Sequence, residues 1–313
     1  MPAGIPGGCG AARQCYVLGG RAVEVTLLTV GAELARGEAL SRALAPLGCR
    51  TQTGTVETAL AEWQDGPPPQ IVVLGCDVCQ DDAARIKQHF KLTERLNHVG
   101  LLMLTREGLA ALPLEGLRIE PDLYLKAPAS TKALVNAVER LRSMLQQRAE
   151  AGMRSLLELA IPSDIVLLRQ VEEMLQIVLK GAELGPKDIW AVLQSTREMG
   201  LNAIEWGNAG VKERCVRFIF SLDRERFSAT IRDEGQGFDP RNLPHAADPR
   251  NPLGHIALRE TSGIRMGGYG ILICRELMDE FRYNDAGNEV TLVKRLGRGS
   301  MDDGASDDCD RNA

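Results

Sequence analysis

The stretch STREMGLNAIEWGN at residues 195–208 is followed by IRDEGQGFDP at 231–240 and by RMGGYGILICRELMDE at 265–280. Glu198 and Asn202 are four residues apart, so they project from one face if the first stretch is helical. A carboxylate can accept a proton, and an amide oxygen can bind a metal ion. This pair therefore predicts a site that combines proton transfer with cation binding.

The two downstream stretches carry glycine at points where the backbone is expected to approach another group. Asp233 ends a strand-like run and precedes Gly235 and Gly237, which have no Cβ to obstruct a ring or a phosphate. In the third stretch, glycines precede an apolar run at 271–278, which predicts a helix whose free N–H groups attract an anion. These glycines are Gly267, Gly268 and Gly270. Together the three stretches predict a nucleotide site.

In their order and spacing, the three stretches resemble the Bergerat-type ATP-binding domain shared by histidine kinases and the anti-sigma-factor serine kinases of bacterial partner switching. The resemblance extends over residues 156–296, nearly half of the chain. It implies an α+β sandwich, in which a sheet packs against helices. It also implies ATP and Mg²⁺ as cofactors.

The resemblance gives each site residue a role. Asn202 is expected to bind the Mg²⁺ that bridges the ATP phosphates, and Glu198 is expected to be the catalytic residue that polarises the attacking hydroxyl or water. The chemistry agrees, because Mg²⁺ takes few protein ligands beside phosphate and water oxygens, and a carboxylate is a suitable general base. Asp233 is expected to accept a hydrogen bond from the adenine amino group. The expected nucleotide-binding residues are Asn202, Asp233, Gly235, Gly237, Arg265, Gly267, Gly268 and Gly270.

The segment 239–266 is rich in Pro, Asn and Gly, which fits a lid over the nucleotide. Arg265, at its end, either reaches a phosphate or is solvated. Trp206 stands where the serine-kinase relatives often carry a histidine, and we interpret it as a core or interface aromatic.

Length and composition restrict the class of protein. The chain has 313 residues, 44% of them hydrophobic, which predicts two domains with a core each. A net charge of −5 and an aromatic content of 4% give no basic stripe and few stacking platforms, so nucleic acid is not expected as a direct partner. No apolar stretch reaches the length of a bilayer, and a cytoplasmic protein without membrane contact is expected.

The N-terminal half alternates apolar runs with helical patterns, which predicts a parallel sheet covered on both faces. The predicted strands are 23–30, 51–53, 71–74, 99–105 and 123–125, and the predicted helices are 35–47, 56–63, 81–93 and 131–147. This half resembles a response-regulator receiver domain with its five-stranded flavodoxin-like fold. The predicted fold class is therefore α/β, with this receiver followed by the histidine-kinase-like (Bergerat) sandwich.

The chemistry of the receiver family is incomplete here. The family places its phosphoryl-accepting aspartate at the end of the third strand, where this chain has Gly75. Thr105 and Lys126 match or nearly match two other family positions, and Asp77 and Glu33 are isolated acids nearby. Aspartyl phosphorylation needs a carboxylate nucleophile and Mg²⁺ held by neighbouring acids. We therefore interpret this half as a degenerate receiver used for protein contact.

These patterns predict a division of the chain. Its parts are a disordered tail at 1–20, the degenerate receiver at 21–147, a linker at 148–155, the ATPase domain at 156–296 and a disordered acidic tail at 297–313. Residues 131–153 either pack back on the receiver sheet or form the seam of a homodimer. The helical pattern favours the first interpretation.

The type of kinase is indicated by the histidines. A histidine kinase needs a phosphoacceptor histidine upstream of its ATPase domain, but no histidine lies within 134–157. The stretches ELAIPSDIVLLRQVEEML, LNAIEWGN and RELMDEFRY resemble the anti-sigma kinases instead. The leading hypothesis is an ATP-dependent serine/threonine kinase. The resemblance implies a STAS-type anti-sigma-factor antagonist as its substrate and a sigma factor as a further partner.

Two alternatives remain. One is an ATP-binding switch that binds partners without phosphotransfer, because a binding site alone could use the same residues. The other is a histidine-kinase fragment that acts on a histidine of another protein.

Overall fold

The structure, a computed structural model, describes residues 25–31, 38–61, 67–106, 114–238 and 269–297. Its framework is a five-stranded sheet near the N-terminus and a six-stranded sheet after it. Helices pack on both sheets. The predicted fold class is confirmed.

The first sheet and its helices are formed by consecutive elements. They are β1 (Val25–Val30), α1 (Glu38–Leu44), β2 (Cys49–Gly54), α2 (Val56–Leu60), β3 (Ile71–Leu74), α3 (Gln80–Leu92), β4 (Gly100–Thr105), β5 (Arg118–Ile119), β6 (Leu123–Lys126) and α4 (Thr131–Glu150). The strands pair in parallel in the order β2-β1-β3-β4-β6. Because β5 is not part of this sheet, the order by rank is 2-1-3-4-5, the flavodoxin-like order of the receiver fold.

Helices cover both faces of the parallel sheet. One face packs against α1 and α4 through a cluster that includes Leu27, Leu44 and Leu141. The other packs against α2 and α3 through Val72 and Phe90 among others. All residues of β3 are buried, as expected for a central strand covered on both sides. This explains why β3 reads as an uninterrupted apolar run rather than as an alternating one.

The second sheet is antiparallel and follows the first in the chain. Its elements are β7 (Ser155–Pro162), α5 (Ile165–Lys180), α6 (Pro186–Asn202), β8 (Cys215–Leu222), β9 (Arg226–Arg232), α7 (Gly270–Leu277), β10 (Glu280–Tyr283) and β11 (Glu289–Arg295). The strand order is β10-β11-β9-β8-β7-β5. Alternate residues of β8 and β9 face the helices, where the rings of Phe218, Phe220 and Phe227 form a ladder with centroid separations of 6.2 Å.

Strand β5 joins the two sheets, because it comes from the first half of the chain and pairs with the second sheet. Arg118 lies opposite Ala160 and Ile119 opposite Leu159 in an antiparallel ladder with β7. The side chain of Ile119 is 6% exposed and belongs to the core of the second domain. This strand was not predicted from the sequence, because a strand of two residues has no periodicity. The pairing covers the outer edge of β7.

A buried carboxylate holds α3, β4 and α4 together beside this joint. Asp122 is 3% exposed in its side chain and accepts from Lys91 Nζ at 2.6 Å, from the Leu101 amide at 2.7 Å and from Arg148. Burial alone would raise the pKa of Asp122, but the two cations hold it below its ordinary value. A buried acid of this kind is stabilising only while its partners remain, because an unpaired buried charge is strongly unfavourable.

A second buried carboxylate connects the receiver segment to the ATPase sheet. Glu120 accepts from Arg118 Nε at 2.9 Å and from the Tyr124 hydroxyl, and Arg217 of β8 lies 3.6 Å from it. The same guanidinium lies 3.6 Å from Glu158 of β7, whose pKa is raised by burial and by the charge of Glu120. The two halves of the chain therefore share a charged network as well as a sheet.

Helix α4 packs on the receiver sheet, as the sequence pattern favoured. Its buried residues include Leu134, Val138 and Leu141, and they lie in the cluster that covers one face of that sheet. It ends at Glu150, and β7 begins at Ser155. A homodimer stays a prediction.

Among the described helices, none has the length and hydropathy that a membrane-spanning segment requires.

Lys87 of α3 generates a prediction about pH. Its side chain is buried near Glu120 and Arg118, and burial lowers its pKa from 10.5 to about 8. Between these values the unfolded chain binds more protons at Lys87 than the folded chain does, so this lysine makes the free energy of unfolding rise with pH. We expect Lys87→Met to stabilise the protein at pH 7 by on the order of 2–3 kcal/mol. The substitution should also remove the contribution of Lys87 to the rise of the free energy of unfolding with pH.

The measurement is urea unfolding at a series of pH values. Lys212→Met, at an exposed lysine, is the control and should keep the wild-type profile. If the free energies of unfolding of the wild type and of Lys87→Met changed in parallel between pH 8 and 10.5, the prediction would be wrong.

Candidate functional site

Helix α6 carries the first pair of predicted site residues. Pro186 occupies its first turn, where the missing N–H of proline leaves no hydrogen bond unmade. Val192 and Met199 are buried in the core, which fixes the rotation of the helix. Glu198 and Asn202 lie half-buried, one turn apart. The amphipathic pattern therefore places both side chains at the boundary between core and solvent.

The chain leaves α6 through a π-type turn, Ala203–Gly207. Such turns are frequent at functional sites. A Cβ on Gly207 would overlap the carboxylate of Asp233, which follows β9. Glycine is therefore required at position 207 for this contact. The end of the helix and the end of the strand are thereby held together.

Asp233 is held in one orientation by backbone groups. Its side-chain Oδ1 accepts from the Gly235 amide at 2.8 Å, and its own amide donates to the Asn288 carbonyl at 3.0 Å. Asp233 is 9% exposed, and burial raises the pKa of its carboxyl although the backbone hydrogen bonds oppose the rise. The result is a fixed, largely desolvated acceptor at the C-terminal end of β9.

Asn208 is a residue of the site that the sequence did not single out. It is fully buried, and its amide nitrogen donates to Ser163 Oγ at 2.9 Å and to the Cys215 carbonyl at 3.0 Å. Its amide oxygen accepts from the Glu234 backbone at 2.8 Å. Asn208 therefore positions the loop that follows Asp233 against the start of α5. The available signal was a polar residue directly after a glycine at a helix end.

The glycines after Asp233 have a packing role that differs from the one expected. A Cβ on Gly235 would overlap the carbonyl of Gly207, and a Cβ on Gly237 would overlap the carbonyl of Ala286. Gly237 also has a φ of +76°, which disfavours other residues. The sequence suggested that these glycines make room for a ligand, but protein backbone takes the room beside their Cα atoms. Their assignment to nucleotide binding stays a prediction.

Aromatic rings fix the end of the glycine loop. The ring of Phe238 meets that of Tyr283 edge to face with a centroid separation of 4.9 Å, and Phe281 meets the same tyrosine at 5.4 Å. The Tyr283 hydroxyl lies 3.5 Å from Met199 Sδ on α6. The loop is therefore packed through β10 onto the helix that carries Glu198 and Asn202.

Helix α7 brings Gly270 to Glu198. The Glu198 Oε2 atom lies 2.6 Å from the position that a Cβ on Gly270 would take. Tyr269 precedes the helix without a side-chain cap, so its side chain accepts no hydrogen bond from the first backbone N–H groups. Buried Cys274 fixes α7 on α6, with its sulfur 3.7 Å from the Ser195 carbonyl. A carboxylate thus lies beside a helix N-terminus, where phosphate groups bind in other proteins.

Mg²⁺ can be tested against the donors present. Among the described residues, no three His, Cys, Asp or Glu side chains are grouped as a metal site. The donor proposed from the sequence is the amide of Asn202, which is half-buried and whose nitrogen lies 4.0 Å from Met199 Sδ. One amide oxygen fits an ion that takes most of its ligands from phosphate and water.

The predicted site residues fall into two contact groups. Asp233 contacts Gly207 and Gly235, and Glu198 contacts Gly270. Gly237 lies farther along the same loop as Asp233. Arg265, Gly267, Gly268 and the predicted lid lie outside the described residues. Trp206 is 48% exposed and is therefore not a core residue.

At the C-terminal ends of the strands in the receiver sheet, the residues differ from the family pattern. Gly75 follows β3, and a Cβ on Gly75 or on Gly31 would overlap Asp77 Oδ1. The carboxylate of Asp77 therefore lies in front of the ends of β1 and β3. Thr105 is buried at the end of β4, and Lys126 is exposed at the end of β6. Phosphorylation of this half is not part of our interpretation.

Comparison with known proteins agrees with this geometry. Residues 161–294 match the family model of the histidine kinase-like ATPase domain. This part of the chain is a domain of that class, whose nucleotide is ATP. The chain therefore carries a flavodoxin-like domain, defined by the strand order of the first sheet, before this histidine kinase-like ATPase domain.

Solved structures of receivers also match the N-terminal half. CheY4 of Vibrio cholerae has 15% identity and a TM-score of 0.30, over 38% of this chain and 99% of that chain. The receiver domain of a signal transduction histidine kinase from Syntrophus aciditrophicus has 16% identity and a TM-score of 0.32, over 39% of this chain and 93% of that chain. The strand order of the first sheet shows the flavodoxin-like fold of this half. A search of the curated proteins gave no match.

The glycine loop generates a prediction with a matched control. Gly237 and Gly210 both have a positive φ, of +76° and +67°, but a Cβ on Gly210 meets nothing within 4 Å. We expect Gly210→Ala to destabilise the protein by about 1 kcal/mol through backbone strain alone. Gly237→Ala should destabilise it by about 1–3 kcal/mol more, through overlap with the Ala286 carbonyl.

The two variants are compared by urea unfolding and by ATP titration calorimetry. Gly237→Ala should also weaken ATP binding, because the loop carries Asp233, whereas Gly210→Ala should not. Equal effects of the two substitutions on both measurements would show that the loop packing is unimportant.

Proposed function

We propose that this protein is an ATP-dependent serine/threonine protein kinase of the anti-sigma-factor type in bacterial signal transduction. Its substrate in this proposal is a STAS-type anti-sigma-factor antagonist, and a sigma factor is a further partner. The degenerate receiver regulates the kinase through protein contact. A cytoplasmic location follows from such partners.

The observation that supports the proposal best is the position of Glu198 beside the start of α7. The carboxylate lies against Gly270, where the helix N-terminus favours the negative charge of phosphate groups. A general base next to the phosphates is the arrangement needed to activate a hydroxyl for attack on phosphorus. An acidic side chain beside anionic groups is better suited to accept a proton than to bind phosphate.

The proposed roles of the side chains are those that the resemblance implies. In the transfer, an oxygen of a serine or threonine hydroxyl forms the bond to the γ-phosphorus, ADP leaves, and Glu198 accepts the hydroxyl proton. Asp233, fixed by the Gly235 amide, accepts a hydrogen bond from the adenine amino group. Asn202 supplies an amide oxygen to Mg²⁺, which neutralises phosphate charge when bound.

The positions of the histidines also support a kinase that acts on serine or threonine. No histidine lies on the described helix that precedes the ATPase domain, Thr131–Glu150, so autophosphorylation of the kind a histidine kinase performs has no acceptor there. The proposed acceptor is a hydroxyl on another protein, and the alternative is a histidine on another protein. Phosphoserine and phosphothreonine are stable in acid, whereas phosphohistidine is not, so the product can be identified chemically.

Glu198→Gln generates the central functional prediction. The amide is nearly the same size as the carboxylate but cannot accept the hydroxyl proton, so transfer should fall by roughly 10²–10⁴-fold while ATP binding is kept. The measurement is acid-stable transfer of labelled phosphate to STAS-type antagonists, with ATP affinity determined on the same samples. Glu173→Gln, at an exposed carboxylate of α5, is the control and should transfer at the wild-type rate.

The outcomes separate the hypotheses. ATP binding by the wild type without transfer to any antagonist would support the nucleotide-binding switch instead of the kinase. Acid-labile phosphate on a partner would indicate a histidine as the acceptor. Full activity of Glu198→Gln would exclude Glu198 as the general base.

Asn202→Ala generates a separate prediction about Mg²⁺. Loss of the amide oxygen should remove the part of ATP affinity that depends on Mg²⁺ and leave binding in EDTA unchanged, because the adenine contacts do not involve Asn202. Calorimetric titrations with and without Mg²⁺ measure this difference. An equal loss of affinity under both conditions would instead assign Asn202 to the packing of α6.

A further inference from the structure

A cavity of about 730 Å³ lies between the receiver and the ATPase domain. Its walls come from the ends of α3 and α4 on one side and from the end of α5 and from β7 and β8 on the other. It opens at the end of the receiver sheet opposite Gly75. We propose that this cavity is a binding site for a small amphiphilic anion, a molecule with an apolar body and one acidic group.

The interior of the cavity is apolar. Three of its lining residues, Ile71, Val178 and Leu222, are almost fully buried and add little accessible surface. The apolar lining side chains that a ligand can reach are Leu92 and Leu145, which are half-buried, and Ile177, which is 40% exposed. A hydrocarbon or aromatic body placed against these side chains would gain about 25 cal/mol for each Å² removed from water. The volume lies within the range of small-molecule sites, which are common at domain interfaces.

The rim of the cavity is cationic. Arg95 and Lys180 are exposed at its mouth, and within the described residues neither has an ion-pair partner. Arg142 and Arg154 also line it, but they donate to the carbonyls of Leu47 and Gly181.

Other charges at the cavity do not cancel this surplus. Lys91 is neutralised by Asp122, and Glu94 is the acidic residue of the lining. The positive charge that remains favours an acidic group at the mouth.

These two features together define the chemistry of the ligand. A purely apolar molecule would leave the cations at the rim without a partner, and an inorganic anion would leave the apolar interior empty. A molecule with both parts satisfies both surfaces. Because it contacts helices of both domains, its binding would stabilise their present arrangement by mass action. The inference is independent of the phosphotransfer proposed above, since no residue of the nucleotide site lines the cavity.

The proposal is tested with the full chain and two fluorescent probes. Anilinonaphthalene sulfonate is an apolar anion, and N-phenyl-1-naphthylamine is a neutral molecule of similar size. We expect the anion to bind one site per chain and the neutral probe to bind at least roughly tenfold more weakly, a difference of about 1.4 kcal/mol. Saturating ATP with Mg²⁺ should leave anion binding unchanged. Competition by ATP would place the probe in the nucleotide site and overturn the proposal.

Substitutions locate the site. Ala149→Trp places a large side chain in the mouth and should weaken binding of the anion by roughly tenfold or more. Ala151→Trp, two residues farther along and outside the lining, is the matched control and should bind like wild type. Equal binding by both variants would overturn the proposal.

Charge variants test the rim. The double substitution Arg95→Gln and Lys180→Gln should weaken binding of the anionic probe and leave binding of the neutral probe unchanged. The control double substitution, Lys187→Gln with Lys212→Gln, should change the binding of neither probe. Because all four side chains are exposed, these variants are expected to fold as wild type does. An unchanged affinity of the rim double variant for the anion would overturn the proposal even if Ala149→Trp were unstable.

Discussion

The carboxylate of Asp233 lies against the Cα of Gly207, and the arrangement of the nucleotide site depends on this contact. The contact leaves no room for a Cβ at Gly207, so it fixes the end of the α6 segment against the end of β9. Asn208, the next residue, then reaches three separate segments with one buried amide. Two adjacent residues, Gly207 and Asn208, thus hold a helix, a strand and a loop in fixed relative positions.

The joint between the two halves rests on a different kind of interaction. Strand β5 gives the ATPase sheet its sixth strand, and its residue Ile119 fills part of that domain's core. The acids that follow it, Glu120 and Asp122, are buried among arginines and lysines from both halves. Hydrogen bonding along a strand and paired charges are directional, so they hold the domains in a defined orientation more strictly than apolar contact alone would. The cavity beside the joint is a consequence of that orientation.

Most of the regular elements could be predicted because their patterns are strong and local. β3 is an unbroken apolar run and was predicted at its observed bounds. The spacing of Glu198 and Asn202 predicted that both project from one face of a helix, and both lie on α6. β5 and β10 were missed because they are short and owe their conformation to a neighbouring strand. Asn208 was missed because the sequence does not show whether an asparagine is buried. Its role depends on hydrogen-bond partners that are distant in the chain.

The sequence by itself determined that an α/β domain precedes an α+β domain, that Glu198 and Asn202 lie on one helix, and that Gly75 stands where receivers have their aspartate. These are properties of spacing and residue type, and they follow from the periods of helix and strand. The tertiary structure alone decided that Asp233 meets Gly207, that Asp77 occupies the space before Gly75, and that a segment of the receiver completes the ATPase sheet. Such contacts join residues far apart in the chain, and their geometry is fixed only when the sheets and helices pack.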